Sequence, residues 1–214
     1  MALILTFKQP PMDLIFPSKC DFEQINDLTY KLVSKANGEP ITSINKRAFQ
    51  DCTSLESIII PDSVNTIDYC AFLNCTSFES VVIPDSVLSI DNCAFYNCTS
   101  LKSIIIPDSV NTIGNSAFLN CTSLESVVVG LSVNTIGDSA FYNCTSLKSI
   151  IIPNSVNTIN YCAFESCKSL ESVVIPDSVK TIDNYAFAYC TSLKSVVIPD
   201  SVISIQKDVF NDCP

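Results

Sequence analysis

The sequence predicts an α/β solenoid wound from 23-residue coils. Three observations predict it: an Ala-Phe pair that returns at a fixed step, a strand-like alternation between the pairs, and a unit too small to fold alone. The pair stands at Ala48-Phe49, Ala71-Phe72, Ala94-Phe95, Ala117-Phe118, Ala140-Phe141, Ala163-Phe164 and Ala186-Phe187, and Val209-Phe210 fills the next place, each step being 23 residues. Residues 48–208 thus form seven full repeats, flanked by the half-repeats 41–47 and 209–214. A 23-residue unit cannot bury its own apolar side chains, but stacked copies share one continuous core. At the ~4.8 Å spacing of neighbouring strands, seven coils extend about 35 Å.

Within the unit 94–116, each element has a physical reading. Ile104 and Ile106 alternate with Ser103 and Ile105, so the first pair faces inward and the second outward. Pro107 lacks a backbone donor and ends the strand. Asp108 and Ser109 suit the turn that follows, because their side chains bond nearby N–H groups. Val110 and Ile113 re-enter the core three apart. Phe95 and Cys98 have the same spacing, which predicts a short helical turn.

The run Cys98-Thr99-Ser100-Leu101-Lys102-Ser103-Ile104-Ile105-Ile106-Pro107-Asp108-Ser109-Val110, followed by Ile113 and Ala117-Phe118, resembles the BspA-like (Treponema-type) leucine-rich repeat. The resemblance covers residues 41–214. It implies a right-handed, curved leucine-rich-repeat coil with a parallel β-sheet on its concave face. It also implies roles in adhesion and protein–protein binding, mostly in cell-surface proteins of bacteria and protists. The chain departs from the pattern at Val129-Gly130-Leu131, where other units read Ile-Pro-Asp or Ile-Pro-Asn, so that turn is expected to differ.

Residues 1–40 lie outside the repeat and read as an N-terminal capping segment with one helix. Asp21 and Gln24 form a plausible capping box. Phe22, Ile25, Leu28, Leu32 and Val33 make a helical apolar face, and Asn37-Gly38 is a stop. At the other end, Cys213-Pro214 stands half a repeat in, with no polar cap in view.

Eight of the twelve cysteines fall in one column: Cys52, Cys75, Cys98, Cys121, Cys144, Cys167, Cys190 and Cys213. Cys70, Cys93 and Cys162 precede Ala-Phe pairs, and Cys20 stands apart. Three readings compete. Buried thiols acting as small hydrophobes are favoured. Disulfides fit poorly, because parallel side chains miss the required dihedral. A zinc site lacks both a CxxC pair and any histidine. No cofactor and no metal are therefore expected. The sequons at Asn74, Asn97, Asn120 and Asn143 read as turn residues, since four glycans one coil apart would collide. The column Asp62, Asp85, Asp108, Asp177 and Asp200 supplies one carboxylate per turn, too few for calcium, which takes about 6–8 oxygens.

Three outward columns form the candidate binding surface. Ser57, Ser80, Ser103, Ser126, Ser149, Ser172 and Ser195 make the first. The second is aliphatic: Ile59, Val82, Ile105, Val128, Ile151, Val174 and Val197. The third carries alternating charge: Glu79, Lys102, Glu125, Lys148, Glu171 and Lys194, with Glu56 before them. Opposite charges on adjacent coils can pair across the sheet. The alternation also fits duplication of a two-repeat unit, and β-branched residues suit strands whatever they bind.

An enzyme needs differing side chains converging on a pocket. This chain presents near-identical ones in rows, with no histidine, no Gly-rich phosphate loop and no nucleophile elbow. A net charge of −10 argues against nucleic acid as a partner. No stretch reaches the ~20 apolar residues of a membrane span. The expected function is a non-enzymatic protein-binding or adhesion scaffold using the concave face. The alternative is a structural subunit that self-associates through its C-terminal end and apolar stripe. Localisation is pulled two ways. Many free cysteines and the absence of a recognisable leader favour a reducing intracellular compartment, while the resemblance favours the cell surface.

Overall fold

The computed structural model describes residues 3–7, 20–26, 29–35 and 40–214. From Ile41 onward the chain winds as a β-solenoid carrying two strand series. The longer series comprises β5 (Leu55–Ile59), β7 (Ser80–Val82), β9 (Ser103–Ile106), β11 (Ser126–Val129), β13 (Ser149–Ile150), β15 (Ser172–Val174) and β17 (Ser195–Val197). Two-residue strands interleave with it: β4 (Ser43–Ile44), β6 (Thr66–Ile67), β8 (Ser89–Ile90), β10 (Thr112–Ile113), β12 (Thr135–Ile136), β14 (Thr158–Ile159), β16 (Thr181–Ile182) and β18 (Ser204–Ile205). Where strands of a series pair they do so parallel and in register, so Val128 lies beside Ile105 and Ile136 beside Ile113; the ladders break between β7 and β9 and between β12 and β14.

No helix occurs among the described residues, which corrects the α/β expectation. The reason lies in the segment after each short strand. Ala71, Leu73 and Cys75 donate back three residues, as a helical turn would, to Asp68, Cys70 and Phe72. The intervening Cys70, Phe72 and Asn74 donate instead to Asn92, Ala94 and Tyr96 of the next coil, at 2.7–3.0 Å. Left-handed φ values of 55° at Cys70 and 61° at Asn74 turn alternate N–H groups outward. Lateral bonding between coils thus replaces the helix.

The same left-handed pair recurs in every coil, at residues other than glycine. Such residues are strained by about 1–2 kcal/mol each, and here the inter-coil bonds offset the strain. Ser139 holds a φ of 55°, which glycine adopts without strain. Ser139→Gly is therefore expected to stabilise the chain by about 0.5–1 kcal/mol, and Ser139→Val to destabilise it by more. Urea unfolding checks both signs.

The N-terminal helix is also replaced. Cys20–Asn26 forms β2 and Thr29–Lys35 forms β3, an antiparallel pair. β3 pairs with β1 (Leu3–Phe7), and β1 runs antiparallel along the free edge of β5, with Ile4 opposite Ile59 and Leu5 opposite Ile58. That edge offers a row of unpaired backbone groups, which a helix cannot satisfy and a strand can. Phe22, Ile25, Tyr30 and Val33 suit strands as well as a helical face. Leu28 of the expected apolar face and the stop expected at Asn37-Gly38 lie outside the described residues.

The core consists of columns. Phe49, Phe72, Phe95, Phe118, Phe141, Phe164, Phe187 and Phe210 stack face to face, with ring centroids 5.1–5.8 Å apart and planes within 9°. Among the described residues no polar or charged residue is buried. At Gly130 the turn hydrogen bond survives, from Val133 N–H to Gly130 O at 3.2 Å, as at Pro107. What differs there is Leu131, which stands exposed where other coils carry Asp or Asn.

Candidate protein-binding face

The strand β9 shows how the face is built. Ile104 and Ile106 are buried, at 2% and 1% exposure, while Ser103 and Ile105 point outward. Because the register step is one whole coil, this parity is copied along the body. All seven aliphatic residues expected in the outward row are exposed, from 44% at Ile59 to 82% at Ile151. They lie side by side: Ile59 beside Val82, Ile105 beside Val128, Val174 beside Val197. The serine row runs in register from Ser103 to Ser195.

The charge row resolves into three ion pairs, each joining a lysine to the glutamate one coil earlier. Lys102 Nζ lies 2.8 Å from Glu79 Oε2, Lys148 2.7 Å from Glu125, and Lys194 3.0 Å from Glu171. The hydrogen bond that Lys102 donates to Glu79 raises the Lys102 pKa, and the one that Lys148 donates to Glu125 lowers that of Glu125. These pairs stand in solvent, so they add little stability. Their effect is to neutralise the flank of the apolar row.

The sequon asparagines stand in turns, as their chemistry predicts. Asn74, Asn97, Asn120 and Asn143 all have left-handed φ. Asn97 Nδ2 donates to Asn74 Oδ1 and Asn143 Nδ2 to Asn120 Oδ1, both at 2.9 Å. The cysteine column gains a specific role that spacing did not reveal. From Cys75 to Cys213, each Sγ donates to the carbonyl of the phenylalanine in the preceding coil at 3.0–3.2 Å. The described cysteines are all free thiols. No group of three metal-ligating side chains forms among the described residues. No helix there is long and apolar enough to cross a membrane.

Comparison with known proteins agrees with this architecture. The family model for the BspA-type leucine-rich repeat region matches residues 23–146 and 112–214, in six copies. A leucine-rich repeat protein of Bacteroides ovatus superposes with a TM-score of 0.79 at 29% identity, covering 92% of this chain and 56% of that one. The T. pallidum leucine-rich repeat protein gives a TM-score of 0.70 at 32% identity, covering 78% and 76% of the two chains. A third such protein, from Eubacterium ventriosum, gives 0.69 at 25% identity over 90% of this chain and half of that one. This chain therefore spans little more than half the length of the B. ovatus protein. No curated protein matches the sequence. The chain belongs to the BspA-type leucine-rich-repeat family.

Proposed function

We propose that this chain is a non-enzymatic scaffold that binds a protein partner across the concave sheet face. The observation that carries the reading is the exposed aliphatic row from Ile59 to Val197. Seven branched side chains held in water at the same place in successive coils, flanked by self-neutralised charges, make an apolar strip of the kind that marks interaction surfaces. Apolar contact with a neutral rim is also what a protein interface needs at its centre. The aliphatic residues act as anchors, and Glu79, Lys102, Glu125, Lys148, Glu171 and Lys194 form the rim. Residues 1–40 are read as a cap, because β1 occupies the edge of β5 that would otherwise stand open. Adhesion at a cell surface is the form of binding that the family resemblance favours.

Substituting Ile105 and Ile151 together by Lys tests the reading. The fold is expected to survive, since both side chains already stand in solvent. Binding of a cross-linked partner is expected to fall at least tenfold, about 1.4 kcal/mol. Asn111→Lys is the control, because Lys180 occupies the same position in a later coil. Unchanged capture by the double variant, with Asn111→Lys matching it, overturns the proposal.

A second reading is self-association through the same exposed aliphatic row, since two copies could cover each other's strips. Light scattering separates the two: a monomer supports partner binding, and growth in mass with concentration supports assembly.

A further inference from the structure

We propose that Cys70 and Cys93 form a two-coordinate thiolate site for a soft monovalent cation, with Cu(I) as the representative ion. The pair differs from the column thiols that follow Cys52. The column thiols from Cys75 to Cys190 are buried, and each is tied to a phenylalanine carbonyl. Cys70 and Cys93 have no such acceptor; their thiols lie side by side and interact with one another. Cys93 is partly open to solvent, so an ion can reach the pair. Cys162 occupies the same position in a later coil, but its neighbours there are Ser139 and Tyr185.

The spacing selects the chemistry. The two cysteines hold the same position in successive coils, with Cys70 N–H bonded to Asn92 O at 3.0 Å and Phe72 N–H to Ala94 O at 2.7 Å. Their φ values of 55° and 57° match, so the side chains project in parallel. Parallel side chains about 4.8 Å apart are poorly placed for a disulfide, which wants Cβ atoms ~3.8 Å apart and a dihedral near 90°. Two metal–sulfur bonds in line, each about 2.3 Å as in zinc thiolates, span roughly that separation. Soft thiolates select Cu(I) among the common ions. Zinc, which wants four ligands, finds only two here.

Binding displaces one proton from each thiol and leaves a bis-thiolate complex with one net negative charge. Two cations stand close by: Lys46 Nζ is 5.0 Å from the centre of the Tyr69 ring and the Arg47 guanidinium 5.8 Å. The Tyr69 hydroxyl in turn interacts with Cys70. Burial, with the Cys70 thiol beside it, pushes the Cys93 thiol up to about 11.

The test is an anaerobic titration of the reduced full chain with Cu(I) held by a chromogenic chelator. Wild type is expected to withdraw one equivalent. Cys70→Ser combined with Cys93→Ser is expected to weaken uptake at least tenfold, and Cys162→Ser to leave it unchanged. The double variant is expected to fold, because Ser116 and Ser139 hold this position elsewhere with φ of 55°. A second measurement uses wild type alone: Cu(I) protects Cys93 from alkylation by iodoacetamide. Undiminished uptake by the double variant, equal loss in Cys162→Ser, or unprotected Cys93 in the copper-loaded chain overturns the proposal. So does formation of a Cys70–Cys93 disulfide on exposure to peroxide with no copper uptake.

Discussion

Raising the pH above 9 is expected to unfold the solenoid within about one to two pH units. Burial pushes Cys121 and Cys190 up to about 12 and Cys75, Cys98, Cys144 and Cys167 well above their ordinary value of 9. The folded chain therefore keeps protons that the unfolded chain releases above pH 9. A thiol whose folded pKa is raised contributes its full stability below the unfolded pKa and loses that contribution as pH climbs towards the folded one. Each such thiol forfeits about 1.4 kcal/mol per pH unit in that window, and six together on the order of 8 kcal/mol. A typical domain has about 5–15 kcal/mol in total. Circular dichroism against pH checks the transition. Replacing Cys98 and Cys144 by Ala is expected to make the alkaline slope shallower while lowering stability at neutral pH. Stability that stays flat to pH 11 would show that the buried thiols do not titrate as the core requires.

Phe118→Ala is expected to cost about 3–5 kcal/mol. The Phe118 ring is fully buried and stacks on Phe95 and Phe141, both at 5.2 Å. Neighbouring coils cannot close over the gap, because hydrogen bonds from Phe95 N–H to Ala117 O and from Phe118 N–H to Ala140 O, each 2.8 Å, fix their spacing. In a chain stabilised by nearest-neighbour contacts, a cavity at the middle coil also uncouples the halves. Urea unfolding is thus expected to split into two transitions. Phe78→Leu is the contrast: the same position holds Leu101 and Leu124 in later coils, so a cost below about 1.5 kcal/mol is expected. A single unshifted transition for Phe118→Ala would falsify the stacked-column account.

Much of the candidate face was legible in the residues, for one physical reason. A step of 23 places residue i beside residue i+23, so one alternation of Ser103, Ile104, Ile105 and Ile106 settles what every coil buries. The exposed row and the Lys102–Glu79 pairing both follow from it. The turn role of Asn97 followed from its chemistry. The helix expected from Phe22, Ile25, Leu28 and Leu32 did not survive, because apolar spacing does not register an open strand edge elsewhere in the molecule. The turn expected at Phe95 and Cys98 closes, with Cys98 N–H donating to Phe95 O at 3.3 Å, but it does not continue as a helix: left-handed residues such as Cys93 and Asn97 send alternate N–H groups sideways into the next coil.

The sequence by itself determined the repeat, the columns and the parity, because each is a property of spacing along one chain. Only the tertiary structure decided what bonds across coils. It turned the N-terminal segment into strands, one of them along β5, and gave each column thiol from Cys75 to Cys213 a phenylalanine carbonyl. Those choices depend on which unsatisfied donor or acceptor the neighbouring coil offers, and that is a fact of three-dimensional contact.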